Sequence, residues 1–223
     1  MADGIIVIGA GGFGRETLDV IEAINAVTRD SVWDVIGVVD DAPAEIQVER
    51  LRDRQIRLLG GADANRELLA GTHYVVGIGS PGVRARIAEK VEAWGARPAT
   101  LMHPAAVVGT RVAIAPGSVV CGGVQISTNV RLGSHAHVNP GAILGHDSIL
   151  DDFVSVNPGA IVSGEVTVAR QTLVGAGACI LQGLSIGAGA TIGAGACVTR
   201  NVPDGVIAKG IPARWVIPAG KSA

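Results

Sequence analysis

The sequence predicts two folds in succession, an α/β region followed by a parallel β-helix. The β-helix is predicted because an aliphatic residue falls at every sixth position from Val108 to Val198 without a gap. Two nearly identical segments, residues 139–143 and 157–161, lie eighteen positions apart, which is three repeats. The α/β region is predicted by a glycine-rich turn at residues 9–14 that joins an apolar strand to a helix.

The six-residue repeat fits neither the helical period nor the simple alternation of a strand. One repeat cannot bury its own aliphatic residue, so successive repeats must stack around a continuous core. A narrow core of Val, Ile and Ala also explains why 48% of the residues are hydrophobic while only 3% are aromatic. Because the repeat begins abruptly near Pro104, we expect two domains, residues 1–103 and residues 104–223.

The first domain opens with a nucleotide-binding pattern. A short buried strand at residues 4–9 runs into the glycine turn, where backbone N–H groups at a helix N-terminus can approach a diphosphate. A second strand, residues 35–39, ends where such folds place a carboxylate for the ribose or the base. The alternative is a purely structural turn. The residues expected to contact a nucleotide here are Gly11, Gly12, Asp40 and Asp41.

The rest of the first domain continues the α/β pattern after a polar, arginine-rich connection. We expect, in order, a short helix near residues 64–69, a strand at 73–79, a helix at 83–94 and a last strand at 99–102. The solvated face of the longer helix should carry Arg84, Arg86, Glu89, Lys90 and Glu92. This is about half of a dinucleotide fold, so we expect it to hold a mononucleotide.

Composition limits the partners and the compartment. The formal charge of −2 offers no basic surface for nucleic acid or an anionic membrane. No apolar run is long enough to span a bilayer, and no apolar N-terminal segment follows a basic one. Three cysteines, an odd number, suit a reducing compartment, so we expect a cytoplasmic protein. Cys179 and Cys197 are eighteen residues apart and should stack as small fillers.

The glycine turn, the Asp40-Asp41 pair, the His103-Pro104 junction and the hexapeptide repeat together resemble the bacterial sugar acyltransferases, over essentially the whole chain. That family includes acetyl-CoA-dependent N-acetyltransferases of nucleotide-linked amino sugars and relatives of the sialic acid O-acetyltransferases. The resemblance implies a left-handed β-helix in which three hexapeptides form one coil, so that residues eighteen apart stack. It also implies a homotrimer without a metal. The first domain would hold the nucleotide of the sugar, and acetyl-CoA would bind between neighbouring β-helices.

The same resemblance implies that His146 and Asp147 are a catalytic pair. An amine or hydroxyl that attacks a thioester must lose a proton, and imidazole is the side chain that titrates near neutral pH. The carboxylate would orient the ring. Gly164, eighteen residues after His146, would lie on the next coil and offer its backbone N–H to the thioester carbonyl. The alternative is an exposed turn histidine without a catalytic part.

Further contacts follow from the family pattern. Asn139 aligns with a residue near the sugar, although its Asn-Pro-Gly setting is also typical of a coil turn. The coenzyme would contact the backbone at Ala176 and Ala194. A cation at Lys209 or Arg214 would meet the 3′-phosphate of the coenzyme, and the alternative is a capping segment with stray charges.

Two positions depart from the family pattern. Many relatives have a histidine that contacts the sugar-nucleotide where this chain has Phe13. Many also have a coenzyme-contacting histidine where this chain has Ser155. Phe13 and Gly79 stay among the expected substrate-binding residues, and Ser155 stays among the expected coenzyme-binding residues.

The expected function is direct transfer of acetyl from acetyl-CoA to the amino group of a nucleotide-linked amino sugar. Acetylation of a sugar hydroxyl is the alternative. An NAD-dependent oxidoreductase would use the glycine turn but leave the repeat unexplained, and a non-catalytic scaffold is a third alternative. A zinc enzyme would need three converging histidines, whereas His135, His137 and His146 all fall within one coil length.

Overall fold

The structure is a computed structural model that describes residues 2–28 and 30–216. The chain divides into two compact units. The first comprises the residues up to Gly79 together with Val83–Pro104, and the second comprises Ser80–Gly82 with the residues from Ala105 onward. Within the described residues, no helix has both the length and the apolar character needed to cross a bilayer.

The first unit is built on a parallel sheet with the strand order β3-β2-β1-β4-β5. Its strands are β1 (Asp3–Ile8), β2 (Trp33–Val39), β3 (Leu58–Gly60), β4 (His73–Val76) and β5 (Arg97–Pro98), and the short strand β6 (Leu101–Met102) follows. The chain order reverses between β1 and β4. In open α/β sheets ligands bind at such a reversal, beyond the carboxyl ends of the strands. The candidate nucleotide site therefore lies at this end of the sheet.

The helices of this region are α1 (Gly12–Val27), α2 (Glu45–Asp53), α3 (Arg66–Leu69) and α4 (Pro81–Glu92). The two helices predicted near residues 64–69 and 83–94 are present as α3 and α4, with shifted ends. The stretch predicted to be a polar connection instead contains α2 and β3. That prediction was wrong because α2 buries only Leu51 and therefore shows almost no apolar periodicity in the sequence.

Arg84 corrects the predicted solvated face of α4. Its side chain is completely buried, with 0% of its surface exposed. Its Nη1 donates to the backbone carbonyl of Ile78 at 2.9 Å and to that of Gly79 at 3.3 Å. Burial lowers the pKa of Arg84 to about 9, so the guanidinium is still charged at neutral pH. A charge is tolerated in such a place only when acceptors surround it, which no helical period can reveal.

The second unit is a parallel β-helix of two-residue strands separated by four-residue turns. Every third strand belongs to the same sheet, so eighteen residues form one coil with three faces. The first face contains β7 (Val107–Val108), β10 (Gln125–Ile126), β13 (Ile143–Leu144), β16 (Ile161–Val162), β19 (Cys179–Ile180) and β22 (Cys197–Val198). The second face contains β8 (Ala113–Ile114), β11 (Arg131–Leu132), β14 (Ile149–Leu150), β17 (Thr167–Val168) and β20 (Ser185–Ile186). The third face contains β9 (Val119–Val120), β12 (His137–Val138), β15 (Ser155–Val156), β18 (Leu173–Val174), β21 (Thr191–Ile192) and β23 (Ile207–Ala208).

The aliphatic column of the repeat forms the core of the β-helix. The second residue of each strand points inward, and Leu144 and Val162, for example, are completely buried. Coils stack in the register that the spacing of eighteen predicts, because Leu144 pairs with Val162 and Cys179 pairs with Cys197. The predicted fold class, an α/β domain followed by a parallel β-helix, is confirmed.

Two corners of the β-helix matter for the candidate site. The turn from the first face to the second, here called the histidine corner, holds Thr110-Arg111, Thr128-Asn129, His146-Asp147 and Gly164-Glu165 on successive coils. The second residue of each pair has a left-handed backbone, with φ between 58° and 59°. The turn from the third face to the first, here called the glycine corner, holds Gly141, Gly159, Gly177 and Gly195, which also have positive φ.

Candidate active site

His146 and Asp147 form a hydrogen-bonded pair at the histidine corner. Nδ1 of His146 lies 2.8 Å from Oδ2 of Asp147. The pKa of Asp147 is lowered because its carboxylate accepts hydrogen bonds from His146 and from Asn129, so it is ionised at neutral pH. An ionised carboxylate can only accept, so Nδ1 carries the proton of the neutral ring. Nε2 then keeps its lone pair and can take a proton from a reacting group.

The turn itself fixes the orientation of the pair. Asp147 has φ 58°, and its N–H donates to the carbonyl of Thr128 on the preceding coil at 3.0 Å. The carbonyl of His146 accepts from the N–H of Glu165 on the following coil at 2.8 Å. The side chain of His146 is 57% exposed, so the ring can be reached from solvent. Ser148, two residues on, is completely buried and is therefore a core residue.

Gly164 lies on the next coil, directly against the imidazole ring. A Cβ atom at this position would lie 2.5 Å from Nε2 of His146 and 2.6 Å from Cε1. The ring can keep its position only because residue 164 has no side chain. The absence of a side chain also leaves the backbone of Gly164 next to the basic nitrogen. Its role as an oxyanion donor stays a prediction.

Asn139 lies at the start of the glycine corner and not beside His146. Its side chain is buried, and Nδ2 donates to the carbonyl of Val156 at 3.0 Å. The same Nδ2 lies 3.4 Å from Oδ1 of Asn157 on the next coil. The structure therefore uses this amide to join two coils, and its predicted contact with the sugar stays a prediction.

Ala176 and Ala194 stack at the glycine corner, where both are exposed. The N–H of Gly195 donates to the carbonyl of Ala176 at 2.9 Å, which joins the two coils. The outward residues of the first face lie between the two corners. Among them Ile143 is 41% exposed and Ile161 is 38% exposed. His146 and Gly164 at one corner, and Ala176 and Ala194 at the other, thus occupy the two edges of the first face.

The three remaining residues expected to bind the coenzyme, Lys209, Arg214 and Ser155, lie in two different places. Lys209 and Arg214 exchange backbone hydrogen bonds of 3.0 Å and 2.9 Å. A Cβ atom at Gly193 would lie 3.1 Å from Cβ of Lys209, so Lys209 is next to the turn that carries Ala194. Ser155 is instead on the third face in β15 and is completely buried. The structure does not bring Ser155 to either corner.

The glycine turn of the first unit is closely packed at the carboxyl end of β1. Gly9 has φ 114°, and a Cβ atom at Gly14 would overlap the carbonyl oxygen of Gly9. A Cβ atom at Gly77, just after β4, would lie 2.5 Å from Cα of Gly14. Gly12 and Gly79, in contrast, face open space. The backbone is therefore tight on the sheet side and open on the side where a diphosphate would approach.

Asp40 and Asp41 hold the loops at the same end of the sheet. Asp40 accepts hydrogen bonds from the backbone N–H groups of Ala10 and Ala42, at 2.8 Å and 3.0 Å. Oδ1 of Asp41 accepts from the N–H of Ala62 at 2.8 Å. Both acids line a cavity of about 240 Å³. Other residues that line it are Ile78, Ile87 and Lys90.

Gly11 and Phe13 belong to the same edge. Gly11 is the N-cap of α1, and Phe13 lies in the first turn of that helix. The carbonyl of Phe13 accepts a hydrogen bond from Oγ1 of Thr17 at 2.8 Å. The first unit thus gathers the predicted nucleotide residues at one end of its sheet.

Among the residues that the structure describes, no group of three or more His, Cys, Asp or Glu is placed to hold a metal ion. His135 stacks on Phe153 with ring centroids 5.1 Å apart, at the corner between the second and third faces. His137 is buried on the third face, in β12. His135 and His137 therefore lie apart from the histidine corner.

Known proteins resemble both parts of the chain. The PglD N-terminal domain family matches residues 4–91. The GDP-perosamine N-acetyltransferase of Escherichia coli O157:H7 is 33% identical over 148 residues. That match covers 66% of this chain and 64% of the relative, so it spans slightly less than two thirds of the relative's length.

Solved structures match nearly the whole chain. PerB from Caulobacter crescentus, in complex with CoA and GDP-perosamine, is 30% identical, with a TM-score of 0.83 and coverage of 97% of this chain and 98% of its own. The acetyltransferase domain of PglB from Neisseria gonorrhoeae FA1090, in complex with acetyl coenzyme A, is 27% identical, with a TM-score of 0.80 and coverage of 97% and 100%.

The parallel β-helix of six-residue repeats and its similarity to solved acetyltransferases define the class of the protein as a hexapeptide-repeat acyltransferase. The preceding PglD-type domain and the similarity to PerB over nearly the full length narrow this class. The chain belongs to the bacterial sugar acyltransferase family, within the superfamily of left-handed β-helices.

Two residues of the site region escaped the sequence analysis. Asn129 donates to Asp147 from the preceding coil, and Arg84 holds the loop that follows β4. Asn129 could have been found, because it lies eighteen residues before Asp147 and residues at that spacing stack. Arg84 gave no comparable signal, since it lies among other charged residues of one helix.

Proposed function

We propose that the protein transfers an acetyl group from acetyl-CoA to the amino group of a nucleotide-linked amino sugar. The observation that carries this proposal is the His146-Asp147 pair, whose imidazole ring is more than half exposed and lies next to Gly164. The relatives from Escherichia coli and Caulobacter crescentus are named for, or bound to, GDP-perosamine. GDP-perosamine is therefore the first acceptor to test.

The pair supports a direct transfer. The acceptor nitrogen attacks the thioester carbonyl, and Nε2 of His146 takes the proton that the nitrogen loses. The new C–N bond forms, the C–S bond breaks, and CoA leaves as the thiolate. Asp147 stabilises the imidazolium through Nδ1, and the Gly164 N–H is proposed to meet the charge on the carbonyl oxygen. Ser148 is buried, so it is not a nucleophile beside the ring.

The direct test is a thiol-release assay with acetyl-CoA and a panel of acceptors. We expect CoA release with a GDP-, UDP- or dTDP-linked amino sugar, and mass and NMR analysis of the product should place the acetyl group on nitrogen. Free sialic acid is the control acceptor for hydroxyl transfer. Release only with sialic acid, or an ester product, would replace N-acetylation by O-acetylation.

Asp41→Ala should weaken binding of the nucleotide-sugar about tenfold and leave the affinity for acetyl-CoA unchanged. Asp41 lines the cavity of the first unit and holds the Ala62 N–H there, and loss of one such hydrogen bond is worth roughly 1 kcal/mol. Calorimetry with each ligand measures both affinities. Asp34→Ala, an exposed acid on β2, is the matched control. Tight NADH binding without nucleotide-sugar binding would instead support a dinucleotide enzyme.

We propose a homotrimer with the coenzyme between neighbouring β-helices. The first face exposes the aliphatic side chains of Val107 at 57%, Ile143 at 41% and Ile161 at 38%, and exposed apolar surface of this kind is often covered by a protein contact. Sedimentation at assay concentration should give three times the mass of one chain, and a stable, active monomer would contradict the proposal.

We place the reaction in the cytoplasm, because all three cysteines are free thiols although Cys179 and Cys197 are neighbours.

A further inference from the structure

Asn129 is in direct contact with the catalytic pair and has no assigned part. Its Nδ2 donates to Oδ1 of Asp147 at 2.9 Å. The other oxygen of the same carboxylate, Oδ2, bonds Nδ1 of His146 at 2.8 Å. One carboxylate is therefore held at both ends, by an amide on one coil and an imidazole on the next.

We propose that Asn129 is a positioning residue of the acetyl-transfer site, which acts through Asp147 to hold the His146 ring in the tautomer with the proton on Nδ1. This inference rests on the proposed function. A carboxylate rotates easily about its last bond, because that torsion has broad and shallow minima. With both oxygens anchored, the carboxylate plane is fixed, and so is the direction from which it faces the imidazole.

The backbone of the histidine corner explains why the contact forms. Asn129 and Asp147 occupy equivalent positions on adjacent coils, and both have φ 58°. Their N–H groups donate to equivalent carbonyls one coil earlier, Thr110 and Thr128, each at 3.0 Å. The two side chains therefore leave the β-helix in the same direction, one coil apart. Asparagine suits the position twice, because it tolerates a left-handed backbone and supplies a donor.

The tautomer matters because the two ring nitrogens have different tasks. Nδ1 is bonded to Asp147, so Nε2, which lies beside Gly164, is the nitrogen left to carry the lone pair that accepts the proton. The partner of the other nitrogen decides which one is protonated. A neutral amide supplies this support without adding charge. An aspartate in its place would put a second carboxylate within hydrogen-bond distance of Asp147 and would remove the donor.

The alternative role for Asn129 is structural, in which the asparagine only stabilises the left-handed turn. The neighbouring left-handed positions show that the turn does not require one, because Arg111 and Glu165 adopt φ 58° and 59° with long side chains. Asn129 is also at the surface of its corner, so its replacement should leave the core of the β-helix intact. The two roles therefore predict different results for a substitution.

The test compares Asn129→Ala with Arg111→Ala, which changes a left-handed residue one coil earlier on the same corner. The ring nitrogens and Cδ2 of histidine are followed by NMR of isotope-labelled protein without substrate, and His146→Ala assigns the signal. We expect wild type and Arg111→Ala to hold the Nδ1–H tautomer, and Asn129→Ala to move toward Nε2–H. The kcat of Asn129→Ala should fall about tenfold, with the KM for acetyl-CoA within about twofold, and the melting temperature should fall only slightly, because alanine tolerates a left-handed backbone less well than asparagine.

The outcomes separate this inference from the proposed function. An unchanged tautomer together with wild-type kcat in Asn129→Ala overturns the positioning role and leaves acetyl transfer intact. A shifted tautomer in a protein that acetylates no sugar supports the positioning role and overturns the proposed function. A lower melting temperature with an unchanged tautomer assigns Asn129 to the turn alone and also overturns the inference.

Discussion

His146→Ala should lower kcat by about 10²–10⁴-fold, the range that a general base usually contributes. Both substrates should still bind, because the ring is 57% exposed and lies at a corner, so its removal leaves the core of the β-helix in place. Steady-state kinetics and calorimetry measure the two effects separately. Asp147→Asn should cost less than His146→Ala, because it weakens the base without removing it.

The dependence of kcat on pH should also show that His146 acts as a base. A base acts only when it is unprotonated, so kcat of wild type should rise with pH through one ionisation that is absent in His146→Ala. The pKa of Asp147 is lowered by its hydrogen bonds from His146 and Asn129, so its carboxylate is already ionised at neutral pH and adds no second step to the profile there. His103→Ala, outside the corner, is the control. Near wild-type turnover in His146→Ala would remove the histidine from the mechanism.

Gly164→Ala should lower kcat by at least about 10²-fold, which is a typical cost of displacing a catalytic group by about 1 Å. The new methyl group would lie 2.5 Å from Nε2 of His146, so the ring must move. It can swing toward solvent because it is more than half exposed, and the melting temperature should therefore change little. Activity and thermal unfolding of the same preparation test both statements.

The matched control for this substitution is Gln182→Ala, which changes the next residue in the same column of the histidine corner. Other positions of this column carry side chains, since the hydroxyl groups of Thr110 and Thr128 are hydrogen-bonded there at 2.9 Å. A backbone effect should therefore be small at both positions. Wild-type kcat in Gly164→Ala would show that the contact between residue 164 and the ring is not needed.

The β-helix could be predicted almost completely from the sequence because its rule is local and periodic. One aliphatic residue in six fixes the inward position, and the spacing of eighteen then fixes the neighbours, as the pairs Leu144-Val162 and Cys179-Cys197 show. The contact between Gly164 and His146 follows from the same spacing. The chemical roles assigned at these positions came from a family resemblance, and they stay predictions.

The α/β unit was less predictable because its contacts have no period. Helix α2 buries one side chain, Leu51, so its sequence resembles a polar loop. Arg84 resembles a surface residue in the sequence, yet it is buried because two carbonyls at the end of β4 accept its hydrogen bonds. Asp40 and Asp41 were found by position, but their hydrogen bonds to Ala10 and Ala62 depend on loops whose path the sequence does not specify.

A single-turnover experiment with labelled acetyl-CoA tests the central claim most directly. Enzyme in excess is mixed with [¹⁴C]acetyl-CoA and GDP-perosamine, or with the best acceptor from the panel, and quenched over the first turnover. We expect label to pass from acetyl-CoA to the sugar nitrogen in one step, at the rate of CoA release, with no label on the protein. Labelled protein that forms before the product, or CoA release that precedes acetylation of the sugar, would contradict direct transfer at His146.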